Sequence, residues 1–190
     1  MSRWLILLLL AAAGAVHAAP PVSAEDDMTR FMEEKGLLGK LERVRATMSD
    51  RASDLVVNAM GFLGVPYRRG GNNADTGFDC SGFVRAMYEQ TVGLVLPRRA
   101  NEQAAATQTI DKKDLQPGDL VFFNTMRRAF SHVGIYVGEG KFIHSPKPGA
   151  QVRVEDMGGN YWQQRFNGAR RVIAPQVAAE APPSSSALLP

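Results

Sequence analysis

One cysteine, Cys80, and three histidines, His17, His132 and His144, are the nucleophile and base types available among 190 residues. Cys80 lies in the stretch GFDCSGFVRAMYEQ, between Asp79 and Ser81, just before a run in which Phe83, Val84, Met87 and Tyr88 recur at helical spacing. A helix is expected to start at Asp79 or Cys80, with Asp79 as its N-cap. Unpaired amides and the positive end of the helix dipole favour a thiolate, so a low cysteine pKa and a reactive thiol are expected there. Gly82 lets something pack close. A single cysteine can equally be an inert small hydrophobe in a core, so a base decides the matter. Histidine suits that task near neutrality.

His132 and His144 fall on two expected strands, HVGIYVG and KFIHS, joined at Gly138, Glu139 and Gly140. Loop length fixes which residues share a face. A two-residue loop, Glu139-Gly140, pairs Gly138 with Lys141 and places the histidines on opposite faces. A three-residue loop pairs Val137 with Lys141 and Gly134 with His144, which makes His132 the same-face diagonal neighbour of His144, roughly 7–8 Å away. A base with an orienting partner requires the second arrangement, so a three-residue loop is expected.

The elements that must position these groups follow from pattern. The opening MSRWLILLLLAAAGAVHAAP has one arginine, an apolar run from Trp4 to Ala13, and small residues at Val16 and Ala18, the pattern of a secretory signal peptide cleaved after Ala18 or Ala19. That run is too short to span a membrane and no later one approaches the length needed, so an exported, soluble product with no stable membrane insertion is expected, periplasmic or secreted. With no cysteine near the cleavage point, a lipid anchor there is not expected. His17 leaves with this segment. Residues 20–27 read as a disordered leader, 28–50 as an N-terminal helical segment, 51–174 as the catalytic domain and 175–190 as a Pro/Ala/Ser tail. Met28–Met48 suggests a helix interrupted by Gly36 and Gly39, and Ser53–Leu63 a second helix with Leu55, Val56, Ala59, Met60 and Leu63 on one face. From Asp119 the pattern becomes strands: DLVFF, HVGIYVG, KFIHS, QVRVE and RRVI. Helices followed by strands predict an α+β domain with an antiparallel sheet.

Charge says little. Without Arg3 the chain keeps 21 of its 22 Lys and Arg against 19 Asp and Glu, a balance that gives no reason to expect nucleic acid. Four pairs, Arg68-Arg69, Arg98-Arg99, Arg127-Arg128 and Arg170-Arg171, could line a cleft for an anionic substrate or simply be solvated.

Six ordered segments, GVPYRRGG, GFDCSGFV, LPRRANEQ, LQPGDLVFF, SHVGIYVG and KFIHS, spread over Leu55 to Ile173, resemble the NlpC-type family of papain-like cell-wall peptidases, and are most similar to short single-domain Gram-negative murein endopeptidases. The resemblance implies a papain-like fold, Cys80 as nucleophile, His132 as general base and acid, and His144 as the group that orients it. It also implies Tyr67 near an oxyanion site, Asp79 and Ser81 lining the peptide cleft, and Arg98 and Gln103, in the family's LPR…Q segment, among the substrate-binding residues. No cofactor is implied. The implied substrate is a peptidoglycan stem peptide, cut at a γ-D-glutamyl–diamino acid bond or at a D,D cross-link through a thioacyl intermediate.

Two rival readings use the same residues. Cys80, His132 and His144 have the ligand types of a Cys-His₂ zinc hydrolase, although without a close-spaced ligand pair. A non-catalytic cell-wall-binding module is the other.

Overall fold

The computed structural model describes Phe31, Glu33 and residues 36–125 and 127–173. The expected signal segment, leader and C-terminal tail lie outside the described residues. The chain divides into two units, Met1–Val44 and Arg45–Pro190; the candidate site lies in the second.

Helix α1, Leu37–Met60, is continuous where the sequence pattern suggested two helices. No glycine or proline occurs between Gly39 and Gly61, so nothing in that span stops the helix. Of its expected apolar face only Leu55 and Ala59 are buried, while Met60 is exposed. The loop that follows forms a small antiparallel pair, β1 (Asn72–Asn73) and β2 (Gly77–Phe78), and hands the chain to α2, Cys80–Val92.

α2 exists for the reasons its sequence announces. Asp79, in extended conformation, accepts the amide of Gly82 at 2.8 Å as N-cap. The buried face holds Phe83, Val84, Ala86, Met87 and Tyr88, and Gly93 ends the helix in the left-handed conformation, φ 73°. Helix α3, Ala100–Ala105, then leads into a six-stranded antiparallel sheet. Its strands are β3 (Gln108–Ile110), β4 (Leu120–Phe123), β5 (His132–Gly138), β6 (Lys141–His144), β7 (Arg153–Asp156) and β8 (Phe166–Arg171), in the order β3-β8-β4-β5-β6-β7. A short helix, α4 (Asn160–Gln163), precedes β8.

Alternation along the strands divides the interior in two. Leu120, Phe122, Val133, Ile135 and Ile143 pack with Phe78, Phe83, Val84 and Met87. Val121, Phe123, Phe142, Met157 and Trp162 form a second, aromatic cluster, with Tyr136 and Phe166 packed against it. Phe78, Phe83, Phe122, Phe123 and Phe142 are fully buried, and each contributes about 1.5–3 kcal/mol of apolar burial. The domain is α+β with an antiparallel sheet, as its helix-then-strand pattern predicts.

Candidate active site

The two histidines come together. Nε2 of His132 lies 2.6 Å from Nδ1 of His144, and both rings are buried. They share a face, but not by the expected loop. Gly138 pairs with Lys141 across a two-residue turn whose residues, Glu139 and Gly140, have φ of 51° and 72°. That pairing alone would put the histidines on opposite faces. A bulge between Tyr136 and Gly138 inserts Val137 as an extra residue, so that Tyr136 faces Phe142 and Ile135 faces Ile143. The extra residue restores the parity that a three-residue loop would have given.

One step further along that register Gly134 faces His144, and it must lack a side chain: a Cβ there would stand 2.6 Å from Phe142 Cδ2 and 3.2 Å from His144 Cβ. The pair is held in the aromatic cluster. Trp162 stacks on the His132 ring at 5.6 Å between centroids and meets the His144 ring edge-on at 5.2 Å. His144 Nε2, buried and without a hydrogen-bond partner, lies 3.7 Å from Glu155 Oε2. Glu155 also takes hydrogen bonds from Trp162 Nε1 and Arg153 Nε.

Cys80 arrives from the other side of the sheet, as the first residue of α2. The backbone N–H groups of Val133, the residue after His132, of Ser81 and of Cys80 itself act on its sulfur in the direction that favours a thiolate. The influence of the Val133 amide sets the thiol near the N-terminal end of β5. Gly82 permits this approach, because a Cβ there would lie 2.1 Å from the Gly71 carbonyl oxygen.

The expected low thiol pKa is not found. Burial, then the adjacent Asp79 carboxylate, push Cys80 up to about 11 against the three amide donors. The residue that caps the helix also spends its positive end. Burial, then the neighbouring His144, lower the His132 pKa well below 6.5. Burial lowers that of His144 too, against the pull of Glu155. Burial thus favours the neutral forms of the thiol and of both imidazoles.

The remaining sequence-predicted residues form a girder under the thiol. Arg98 gives Nη1 to Asp79 Oδ1 at 2.9 Å and to Ser81 Oγ at 3.1 Å, and Nη2 to Asp79 Oδ2 at 2.6 Å. Gln103 is fully buried, and its amide nitrogen donates to the carbonyls of Ser81 at 3.0 Å and Pro97 at 2.9 Å. Gln103 and Ser81 are buried inside the domain, where Gln103 Oε1 has no hydrogen-bond partner. Tyr67 is half-buried, and its pKa is raised by burial and then by charge on Cys80 and Asp79. The paired arginines are partly structural: besides Arg98, Arg171 binds Asp119 and Arg170 donates to the Ala104 carbonyl.

The sequence patterns passed over Glu155 and Trp162. Arg153 faces His144 in the β6–β7 register, so Glu155, two residues on, is a same-face diagonal neighbour; QVRVE shows this only once the register is known. Trp162 sits on a four-residue helix too short to carry a periodic signal.

Comparison with known proteins matches this geometry. The chain is 41% identical over 142 residues to "Murein DD-endopeptidase MepH" of Escherichia coli, covering 73% of this chain and 52% of that protein. It is 35% identical to "Gamma-DL-glutamyl hydrolase" of Bacillus subtilis, covering 77% of this chain and 36% of that one. The chain thus spans about half the length, or less, of these curated relatives. Among solved structures, an NlpC/P60 family protein from Bacillus cereus superposes with a TM-score of 0.58 at 37% identity, covering 63% of this chain and 39% of that one. The family model described as "NlpC/P60 family" matches residues 64–171, the span that holds the girder, the thiol and both histidines, and the chain belongs to that papain-like family.

Proposed function

We propose that this protein is a cysteine peptidase that hydrolyses amide bonds in peptidoglycan, within stem peptides or at their cross-links. The observation that carries the proposal is the buried His132–His144 pair at 2.6 Å, at the strand end whose Val133 amide acts on the Cys80 sulfur. Family membership and relatives bearing the names of a murein DD-endopeptidase and a γ-DL-glutamyl hydrolase support the substrate class.

With His132 Nε2 engaged by His144, Nδ1 is the nitrogen left to take the Cys80 proton as the sulfur attacks the scissile carbonyl carbon. The carbonyl oxygen becomes an oxyanion, for which the Cys80 amide and the Tyr67 hydroxyl are the proposed donors. Collapse breaks the C–N bond, the imidazolium returns its proton to the leaving amine, and water then hydrolyses the thioester. Residues 1–19 act in this reading as an export signal, 20–27 as a leader, 51–174 as the catalytic domain and 175–190 as a tail. Among the described residues no helix is long and apolar enough to cross a membrane.

The zinc reading fits the geometry poorly. Two nitrogens on one tetrahedral zinc, each at roughly 2.0–2.1 Å, stand about 3.3 Å apart, whereas these two face each other at 2.6 Å. Mass spectrometry of purified muropeptides after digestion tests the proposal and reports the bond cut. Wild-type protein should release smaller muropeptides with EDTA present, and Cys80→Ser or thiol alkylation should abolish release. Undiminished release by Cys80→Ser removes the proposed nucleophile.

A further inference from the structure

We propose that Glu155 is a positioning residue of this site, setting through His144 the tautomer that makes His132 a base. The inference rests on the peptidase reading and concerns a side chain that contacts neither the thiol nor the scissile bond. Two neutral imidazoles joined by one hydrogen bond can share their protons in two orders. In the first, His132 carries its proton on Nε2 and donates to His144 Nδ1; His144 then carries its own on Nε2, and His132 Nδ1 is a bare lone pair. In the second, His144 Nδ1–H donates to His132 Nε2; His132 then holds its proton on Nδ1 and cannot accept another from the thiol. The 2.6 Å contact alone does not choose between them.

Glu155 chooses. Its Oε2 is the acceptor that the structure sets 3.7 Å from His144 Nε2, which is buried and otherwise without a partner. At that distance the contact is an interaction of charge with an N–H dipole rather than a full hydrogen bond. Its sign is definite: a carboxylate attracts an N–H and repels a lone pair, so the first order wins. The carboxylate stays charged for this task. His144, followed by the Trp162 and Arg153 hydrogen bonds, holds its pKa at about 2 against the cost of burial. Trp162 Nε1 fixes the oxygen nearer His144, and Arg153 takes the other. The charged groups facing the pair are therefore Glu155 and, beyond it, Arg153.

The test reads the tautomers directly, by long-range ¹H–¹⁵N spectra of the full chain labelled in histidine, at pH 7.5 without substrate. In the wild type both His132 and His144 should carry the proton on Nε2. Glu155→Gln keeps one oxygen, which Trp162 holds toward His144, and should keep that order with kcat within about tenfold of wild type. Glu155→Met removes the acceptor: a His144 Nδ1–H population should appear, and kcat should fall roughly 10–10³-fold with KM little changed. A wild-type His144 protonated on Nδ1 overturns the proposal without any variant. So does a folded Glu155→Met that keeps both the wild-type tautomers and the wild-type kcat. Because the spectra need no substrate, failure of the wild type to cut peptidoglycan counts against the peptidase reading alone.

Discussion

The two terminal nitrogens of Arg98 each take one oxygen of the Asp79 carboxylate, at 2.9 Å and 2.6 Å, and the same carboxylate caps the helix that begins with Cys80. The arginine thus supports the thiol without needing to touch it, and it balances a negative charge that otherwise pushes the thiol pKa upward.

Arg98→Ala should therefore have two effects. Stability should fall by about 1–2 kcal/mol, less than for a fully buried pair because the arginine side chain is one-third exposed. The pH midpoint of Cys80 alkylation should rise, since Asp79 acts on the sulfur uncompensated. Urea denaturation and iodoacetamide kinetics measure the two separately. An unmoved alkylation midpoint in the folded variant would show that Arg98 serves the scaffold only.

Gly82→Ala asks a backbone to move. The new Cβ would lie 2.1 Å from the Gly71 carbonyl and 3.0 Å from Asp79 Oδ1, so stability should fall by about 1–3 kcal/mol and activity should fall further as the first turn of α2 shifts. Gly93→Ala is the contrast. It strains a left-handed residue, φ 73°, with nothing within 4 Å, and should cost about 1–2 kcal/mol while leaving kcat/KM intact. Equal activity losses for the two would mean that the contact with Gly71 does not position the thiol.

The histidines should differ under substitution although both are imidazoles. His132→Ala removes the proposed general acid and base, typically worth 10²–10⁴-fold, and should be nearly inactive. An amide can stand in for an orienter, so His144→Asn should keep measurable activity and His144→Ala less. Initial rates of muropeptide cleavage, with folding checked by circular dichroism, decide it. If His144→Asn is as inactive as His132→Ala, base and orienter are wrongly assigned.

The pKa shifts set a pH range. His132 is depressed well below 6.5 and Cys80 is raised to about 11, so the working neutral pair should persist across that window, with the acid limb of kcat/KM below the usual histidine value. Stability follows the same groups. Folded His132 and His144 bind protons more weakly than the unfolded chain, so stability should decline as pH drops through 6.5. Glu155, lowered from 4.5 to about 2, adds a contribution that is complete above 4.5 and lost below. Thermal unfolding at pH 7.5, 6 and 5 should give a falling Tm, and a constant Tm across that range contradicts the buried neutral pair.

Much of this site was legible before any coordinates. The N-cap at Asp79 and the register of Phe83, Val84 and Met87 are local properties, and local properties are written in adjacent residues. The shared face of His132 and His144 was legible as a requirement, but the device that meets it was not, because a bulge trades one backbone residue against the partner strand without a side-chain signal of its own. The thiol pKa was misjudged for a related reason. A helix start is visible in sequence, whereas the burial of Cys80 and the Arg98–Asp79–Ser81 cluster around it depend on chain segments brought together by folding. Glu155 and Trp162 were missed because their meaning depends on the β6–β7 register and on the placement of a single turn of helix.

The Val137 bulge has a consequence for how this hairpin tolerates change in length. What it preserves is an odd-or-even count between His132 and His144, indifferent to the identity of the residues counted. Exchanges of side chain at Val137 or Glu139 leave the count untouched, whereas loss or gain of one residue between Gly134 and Phe142 turns one imidazole through the sheet to the opposite side. Two such changes cancel. Homologous hairpins of different length can therefore hold the same pair of imidazoles, provided that their lengths differ by an even number or that a bulge has come or gone with the odd residue.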